Sequence, residues 1–160
     1  MSTDFVDALI DEAKKTPYFH LEGYMERYWL VPFNPDSANA RIHHILRSDN
    51  DRALHDHPWD SISTILKGGY WEILPLEQSQ HPELDSQRFQ RIWRKPGDVV
   101  SRKAGDRHRI EVEPGTTSWS LFFMGPLRQQ WGFYSNEGKI YWREYLNDYE
   151  TQTASDGANI

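Results

Sequence analysis

Leu54-His55-Asp56-His57-Pro58-Trp59-Asp60 is the stretch whose reading decides the fold. Successive side chains of a strand alternate faces, so histidines at i and i+2 look the same way. About fifty residues later, Gly97-Asp98 and Gly105-Asp106-Arg107-His108 bring a third imidazole into another glycine-punctuated, strand-rich segment. Imidazole is the commonest protein ligand for zinc, iron, nickel and copper, so this pattern points to a metal site on His55, His57 and His108.

Working outward, the flanking sequence predicts strands on both sides. Arg41 to Arg47 is a strand candidate that stops at the turn Ser48-Asp49-Asn50-Asp51. Ser61 to Lys67 and Tyr70 to Leu74 are separated by Gly68-Gly69, and Glu77 to Ser86 reads as a polar loop. Gln87 to Arg94, Val99 to Ser101, His108 to Glu113 and Thr117 to Met124 follow, with turns at Pro96-Gly97 and Pro114-Gly115. Trp131 to Tyr134 and Ile140 to Tyr145 predict a hairpin around Gly138. Ahead of the strands, Thr3-Asp4 and the spacing of Phe5, Val6, Leu9, Ile10 and Ala13 predict a short amphipathic helix that ends before Pro17. About eight to ten short strands and one helix make an all-β sandwich or barrel. Residues 1–150 are expected to form one domain and 151–160 a flexible polar tail.

Composition excludes several classes. A net charge of -6 argues against a general nucleic-acid binder, which needs a basic footprint. Cysteine is absent, so any metal must sit on nitrogen and oxygen ligands. Neither a signal-peptide pattern at Met1-Ser2-Thr3-Asp4-Phe5 nor an apolar run of about 20 residues is present, so a cytoplasmic protein without a membrane partner is expected. Seven Trp, eight Tyr and seven Phe suit an aromatic-lined pocket.

The two histidine segments together resemble the cupins, small double-stranded β-helix (jelly-roll) barrels. Their first motif is Gly, five residues, His-x-His, three or four residues, Glu, six residues, Gly. His55-x-His57, Ser61 and Gly68 keep its spacing, with serine in place of the acid. Their second motif is Gly, five residues, Pro-x-Gly, two residues, His, three residues, Asn. Gly97, Lys103-x-Gly105, His108 and Val112 keep it, with Lys103 and Val112 departing in residue type. The resemblance implies a cupin-type jelly-roll barrel and a metal on the three histidines.

With Ser61 at the acid's position, the site looks like a three-histidine face, similar to the cupin dioxygenases whose neutral ligands hold Fe(II) while the substrate supplies the anion. That resemblance implies a mononuclear non-heme iron oxygenase with O2 and a small-molecule substrate as partners. Zn, Mn or Ni is the alternative metal, for an isomerase, epimerase or lyase, and a binding protein without turnover is the third reading. Trp59, Ser61 and Ser63 share the parity of His57 and are expected to shape the pocket. His43 and His44 lie on opposite strand faces, so at most one can look inward, to hydrogen-bond a ligand or act as a substrate acid or base. Asp60 falls on the opposite face from the histidines and is expected not to be a ligand. Arg107 and Arg109 are expected at the surface or an interface, and the aromatic C-terminal hairpin either closes the barrel or forms a homodimer face.

Overall fold

The computed structural model describes residues 2–31, 34, 36–49, 53–76, 89–135 and 138–146. The expected polar loop at 77–86 and the tail at 151–160 lie outside the described residues. Helix α1 (Thr3–Ala13) begins one residue earlier than its sequence signal, because Ser2 rather than Thr3 is the cap: its Oγ accepts from the Phe5 N–H at 3.4 Å. Its buried stripe, Val6, Ile10 and Ala13, packs on Ile42 and Leu66.

Eleven strands follow among the described residues. β1 (Met25–Val31), β2 (Asn39–Ile45), β4 (Ser61–Lys67), β7 (Val99–Arg102) and β9 (Ser118–Met124) form an antiparallel sheet in the order β1-β2-β9-β4-β7. Two three-stranded sheets complete the fold. One is β11-β10-β3, from β3 (Leu54–His55), β10 (Gly132–Ser135) and β11 (Gly138–Tyr141); the other is β6-β5-β8, from β5 (Tyr70–Pro75), β6 (Phe89–Arg94) and β8 (Arg109–Glu111). A late strand, β9, sits between two early ones, which is the wrapping of a jelly roll rather than of a meander. The β4–β5 turn needs glycine at Gly68, where φ is +70° and a Cβ would lie 2.1 Å from the Thr117 carbonyl oxygen.

Period-two alternation fixes what faces inward. Ser61, Ser63 and Ile65 of β4 and Ser118, Ser120, Phe122 and Met124 of β9 are buried. Between them, Ile62 and Phe123 are exposed, and Leu66 meets the helix. The interior divides along its length. Ile45, Ile65, Tyr70, Ile110 and Val112 pack as an apolar core, so Ile110 and Val112 serve packing. Arg41, Ser61, Ser63, Glu72 and Arg102 make the other end polar.

The expected strand 140–145 ends at Tyr141, and residues 142–146 form a helical turn. The turn places Trp142 and Tyr145 on one face, three residues apart. Trp142 stacks on Trp131 (centroids 5.5 Å apart) and Tyr145 on Phe133 (4.1 Å), so these aromatics close one end of the barrel.

That closure is tied to the histidine segment by Asp56, whose side chain points away from the flanking imidazoles and is fully buried. Its carboxylate accepts from Gln129 Nε2 (2.9 Å), the Gly132 N–H (2.8 Å), the Tyr134 hydroxyl (2.9 Å) and Lys139 Nζ (2.6 Å). Removing one partner of a buried pair leaves the others uncompensated. Asp56→Ala is therefore expected to lower the unfolding free energy by about 3 kcal/mol in urea titration. A change under about 1 kcal/mol would show that the hub is dispensable.

Candidate metal centre

The backbone brings the three histidines together. His55 and His108 face each other in an isolated bridge, each N–H donating to the other's carbonyl (2.9 and 3.0 Å), so their imidazoles lie side by side. β3 ends at His55, so His57 does not reach the site by strand parity, contrary to the sequence expectation. Pro58 follows it and cannot extend the ladder. His57 is instead positioned by its own N–H, which donates to the Ala104 carbonyl at 3.0 Å. The ring centroids stand 4.9 to 5.3 Å apart, and one ligand nitrogen from each residue lies within 4.8 Å of the others.

Two acids stand behind the triad, and sequence reasoning missed both. Glu72, fully buried, has its Oε1 2.8 Å from His108 Nδ1, which leaves Nε2 of that ring to face the other histidines. The same carboxylate binds Arg94 Nε at 2.7 Å and Arg102 Nε at 2.8 Å. The signal was available: a lone acid inside the apolar run Tyr70-Trp71-Glu72-Ile73-Leu74. Asp49, also buried, lies with Oδ2 3.7 Å from His55 Nδ1 and is held by the Ile110 N–H at 2.6 Å and the Tyr24 hydroxyl at 3.3 Å. At 3.7 Å its effect on His55 is electrostatic rather than a hydrogen bond.

Burial disfavours protonation of His57 and His108. Burial pushes His108 below its ordinary value, Arg102 adds to this, and the Glu72 hydrogen bond opposes it. Burial also holds His57 well below the usual range, helped by His108 and His55. Burial alone would raise Glu72, but the His108 hydrogen bond and Arg102 outweigh it and keep the carboxylate ionised. The residues fit a metal ion on the chemistry of the donor set. His57 Nδ1 and His108 Nε2 are buried polar atoms without a hydrogen-bond partner, both rings are held below the ordinary imidazole range, and a carboxylate orients one of them.

The remaining expected residues divide. Ser61 and Ser63 face inward, Ser61 with its Oγ unpartnered and Ser63 accepting from Arg102 Nη1 at 3.3 Å. Trp59 borders a cleft of about 520 Å³ between Pro58, Gln129, Trp131 and Trp142, beside the triad rather than over it. His43 faces inward, stacked on Phe122 (4.8 Å), whose ring lies 6.1 Å from that of His57. His44 faces outward instead, with Nδ1 2.8 Å from Glu26 Oε2 and its ring stacked on Trp119 at 3.9 Å, so it lies outside the site. Asp60 accepts from the Ala104 N–H at 2.9 Å and is not part of the histidine group. Arg107, expected at the surface, is 3% exposed with its guanidinium over the Tyr134 ring at 4.8 Å, because the closed aromatic end covers it. Arg109 remains partly exposed and pairs with Glu111 at 3.0 Å.

No family model matches the sequence, and no curated protein matches it significantly. Solved structures do match in fold. The DMSP lyase DddQ from Ruegeria pomeroyi is similar with a TM-score of 0.54 at 21% identity, covering 83% of this chain and 68% of that one. The hydroxypropylphosphonic acid epoxidase from S. wedmorenis matches with a TM-score of 0.54 at 12% identity, covering 70% of this chain and 56% of its own. This chain thus spans little more than half of the epoxidase's length. An RmlC-like cupin from Shewanella frigidimarina matches with a TM-score of 0.51 at 14% identity, over 72% and 88% of the two chains. With the histidine group in place, the fold is that of the cupins. Among the described residues no helix is long and apolar enough to cross a membrane.

His43, His57 and His108 are all depressed below 6.5, so the unfolded chain takes up protons that the folded chain refuses. Their neutral state costs nothing above that value, and stability is lost as pH falls through it toward the lower folded values. Denaturation of chelator-treated protein across pH 7.5 to 5 (approximately) is expected to show a steady fall in unfolding free energy, and a flat profile contradicts the assignment. Glu72→Gln is expected to weaken metal affinity by about 10- to 100-fold in competition with a chelating dye, with the fold retained.

Proposed function

We propose that the chain is a mononuclear non-heme Fe(II) oxygenase of dioxygenase type, acting on a small metabolite that coordinates the metal directly. The observation that supports this reading is a converging face of three imidazoles, His55, His57 and His108, with Glu72 turned to orienting the His108 ring and Asp49 3.7 Å from His55 rather than in the ligand group. A bound Fe(II) supplies open coordination positions for O2 and a chelating substrate and the electrons for oxygen activation. The chain's own part is to disfavour protonation of His57 and His108, fix His108 through Glu72, and keep the interior dry through Phe122 and the Trp131–Phe133 closure. Ser61, Ser63, Trp59 and His43 shape the space beside the metal. A homodimer belongs to this reading: the outer face of the five-stranded sheet exposes Ile62, Phe123 and Val99 on adjacent strands.

One observation favours a second reading, a non-redox lyase or isomerase with Zn, Mn or Ni. His43 is half-buried, its protonation disfavoured and its Nε2 buried without a partner, the state of a waiting general base. Metal analysis of protein purified without chelator, followed by O2-electrode measurements on candidate substrates, separates the two. Iron near one per chain with substrate-dependent O2 uptake, both lost in His55→Ala and His108→Ala, is expected. Stoichiometric zinc or nickel without O2 uptake moves the assignment to the second reading, and wild-type metal content in both alanine variants removes the triad from either.

A further inference from the structure

Among the described residues Arg41 and Arg102 are equally buried on inward strand faces, and a carboxylate is seen against Arg102 but not against Arg41. Arg102 is met by Glu72. Arg41, 5% exposed on β2, has its guanidinium among aromatic faces, 4.6 Å from the Trp29 centroid, 4.8 Å from Tyr18 and 5.5 Å from Trp59. Its one hydrogen-bond partner among the described residues is the Met124 thioether, 2.9 Å from Nη2, and its Nε is buried without a partner. Burial, reinforced by Arg27, pushes Arg41 down to about 10, which still leaves it charged at neutral pH.

Arg41 is not alone in its unmet donors. Trp59 Nε1 and Ser61 Oγ are also buried without partners. The three residues converge on one place: Ser61 lies opposite Met124 in the β4–β9 register, Met124 touches Arg41, and Trp59 lies beneath the Arg41 guanidinium. A buried donor left unmet costs about 1–3 kcal/mol, so three together call for a missing acceptor. Nε and Nη2 share one edge of the guanidinium, the edge a carboxylate takes side-on. Thioether sulfur is a weak acceptor and yields readily to a charged one. With His43 held neutral, Arg41 brings the positive charge that these three donors share, and Arg27, against the same Tyr18 ring, adds to the potential there; a carboxylate monoanion answers it.

We propose that Arg41, Trp59 and Ser61 form a subsite for the carboxylate of a small monoanionic ligand, binding it inside the barrel beside the histidine group. This deepens the proposed function by naming a substrate class, and it rests on reading the interior as a small-molecule site. It does not depend on which metal is bound.

The test uses propionate as probe, with propanol, propanesulfonate and propylphosphonate as comparisons, in calorimetric or NMR titration of the full chain. Propionate is expected to bind wild type equally well before and after chelator treatment, while propanol does not bind. Arg41→Lys, which keeps the charge but loses the side-on edge, is expected to weaken propionate by about tenfold or more. Arg41→Met is expected to abolish binding while melting no lower than wild type without ligand, because replacing an unmatched buried charge by an apolar chain relieves its desolvation.

Wild-type affinity in a folded Arg41→Lys overturns the subsite, whatever the methionine variant does. A lower melting point for Arg41→Met with unchanged propionate binding marks the guanidinium as a structural clamp and also overturns it. Loss of binding on chelator treatment but not in the Arg41 variants assigns the carboxylate to the metal instead. Tighter binding of the phosphonate or sulfonate rejects the carboxylate class. If wild type carries no metal, the comparison of Arg41 variants stands unchanged, so the two readings fail separately.

Discussion

A single buried carboxylate, Glu72, carries the polar half of the barrel. It neutralises Arg102 on β7 and Arg94 on β6 and orients His108, so it joins three strands from two sheets to the metal-binding face. Burying one acid among two guanidiniums would be unfavourable if any of its lone pairs were unmet. Here both oxygens are occupied, and this lets a charged cluster sit where the neighbouring layer is packed with Ile45, Ile65 and Val112.

The same principle explains why the two carboxylates at 49 and 56 behave differently although both are buried. Asp56 lies between His55 and His57 in sequence, but its side chain goes to the opposite side, where Lys139, Tyr134 and Gln129 satisfy it. It anchors the segment from behind. Asp49 stays on the histidine side and is held by the Ile110 N–H, so its charge falls on His55. One acid fixes where the histidine segment lies, and the other two stand behind the rings of His55 and His108.

The contrast between Arg102 and Arg41 is informative because the environments are otherwise alike. Both are interior and about equally buried. Arg102 is consumed by the protein's own acid. Arg41 faces aromatic rings and a thioether, partners that tolerate a cation without neutralising it. A fold that satisfies its other interior charges so fully leaves this one conspicuous, on the same strand face as His43 and next to the residues around His57.

The sequence alone determined the alternation of most strands, the helix and the three histidines, because period-two patterning and glycine-punctuated turns are local properties. The reading of His57 by strand parity reached the right residue by the wrong route, since Pro58 ends the ladder and a contact with Ala104 sets the ring. Parity also narrowed His43 and His44 to one inward residue, but only the stacking of α1 on β2 decided which, by giving His44 an outer layer to join. Glu72 and Asp49, 15 and 6 residues from the nearest of the three histidines, could be assigned only by tertiary structure. Which charges meet inside a barrel depends on which strands become neighbours, and no local periodicity encodes that.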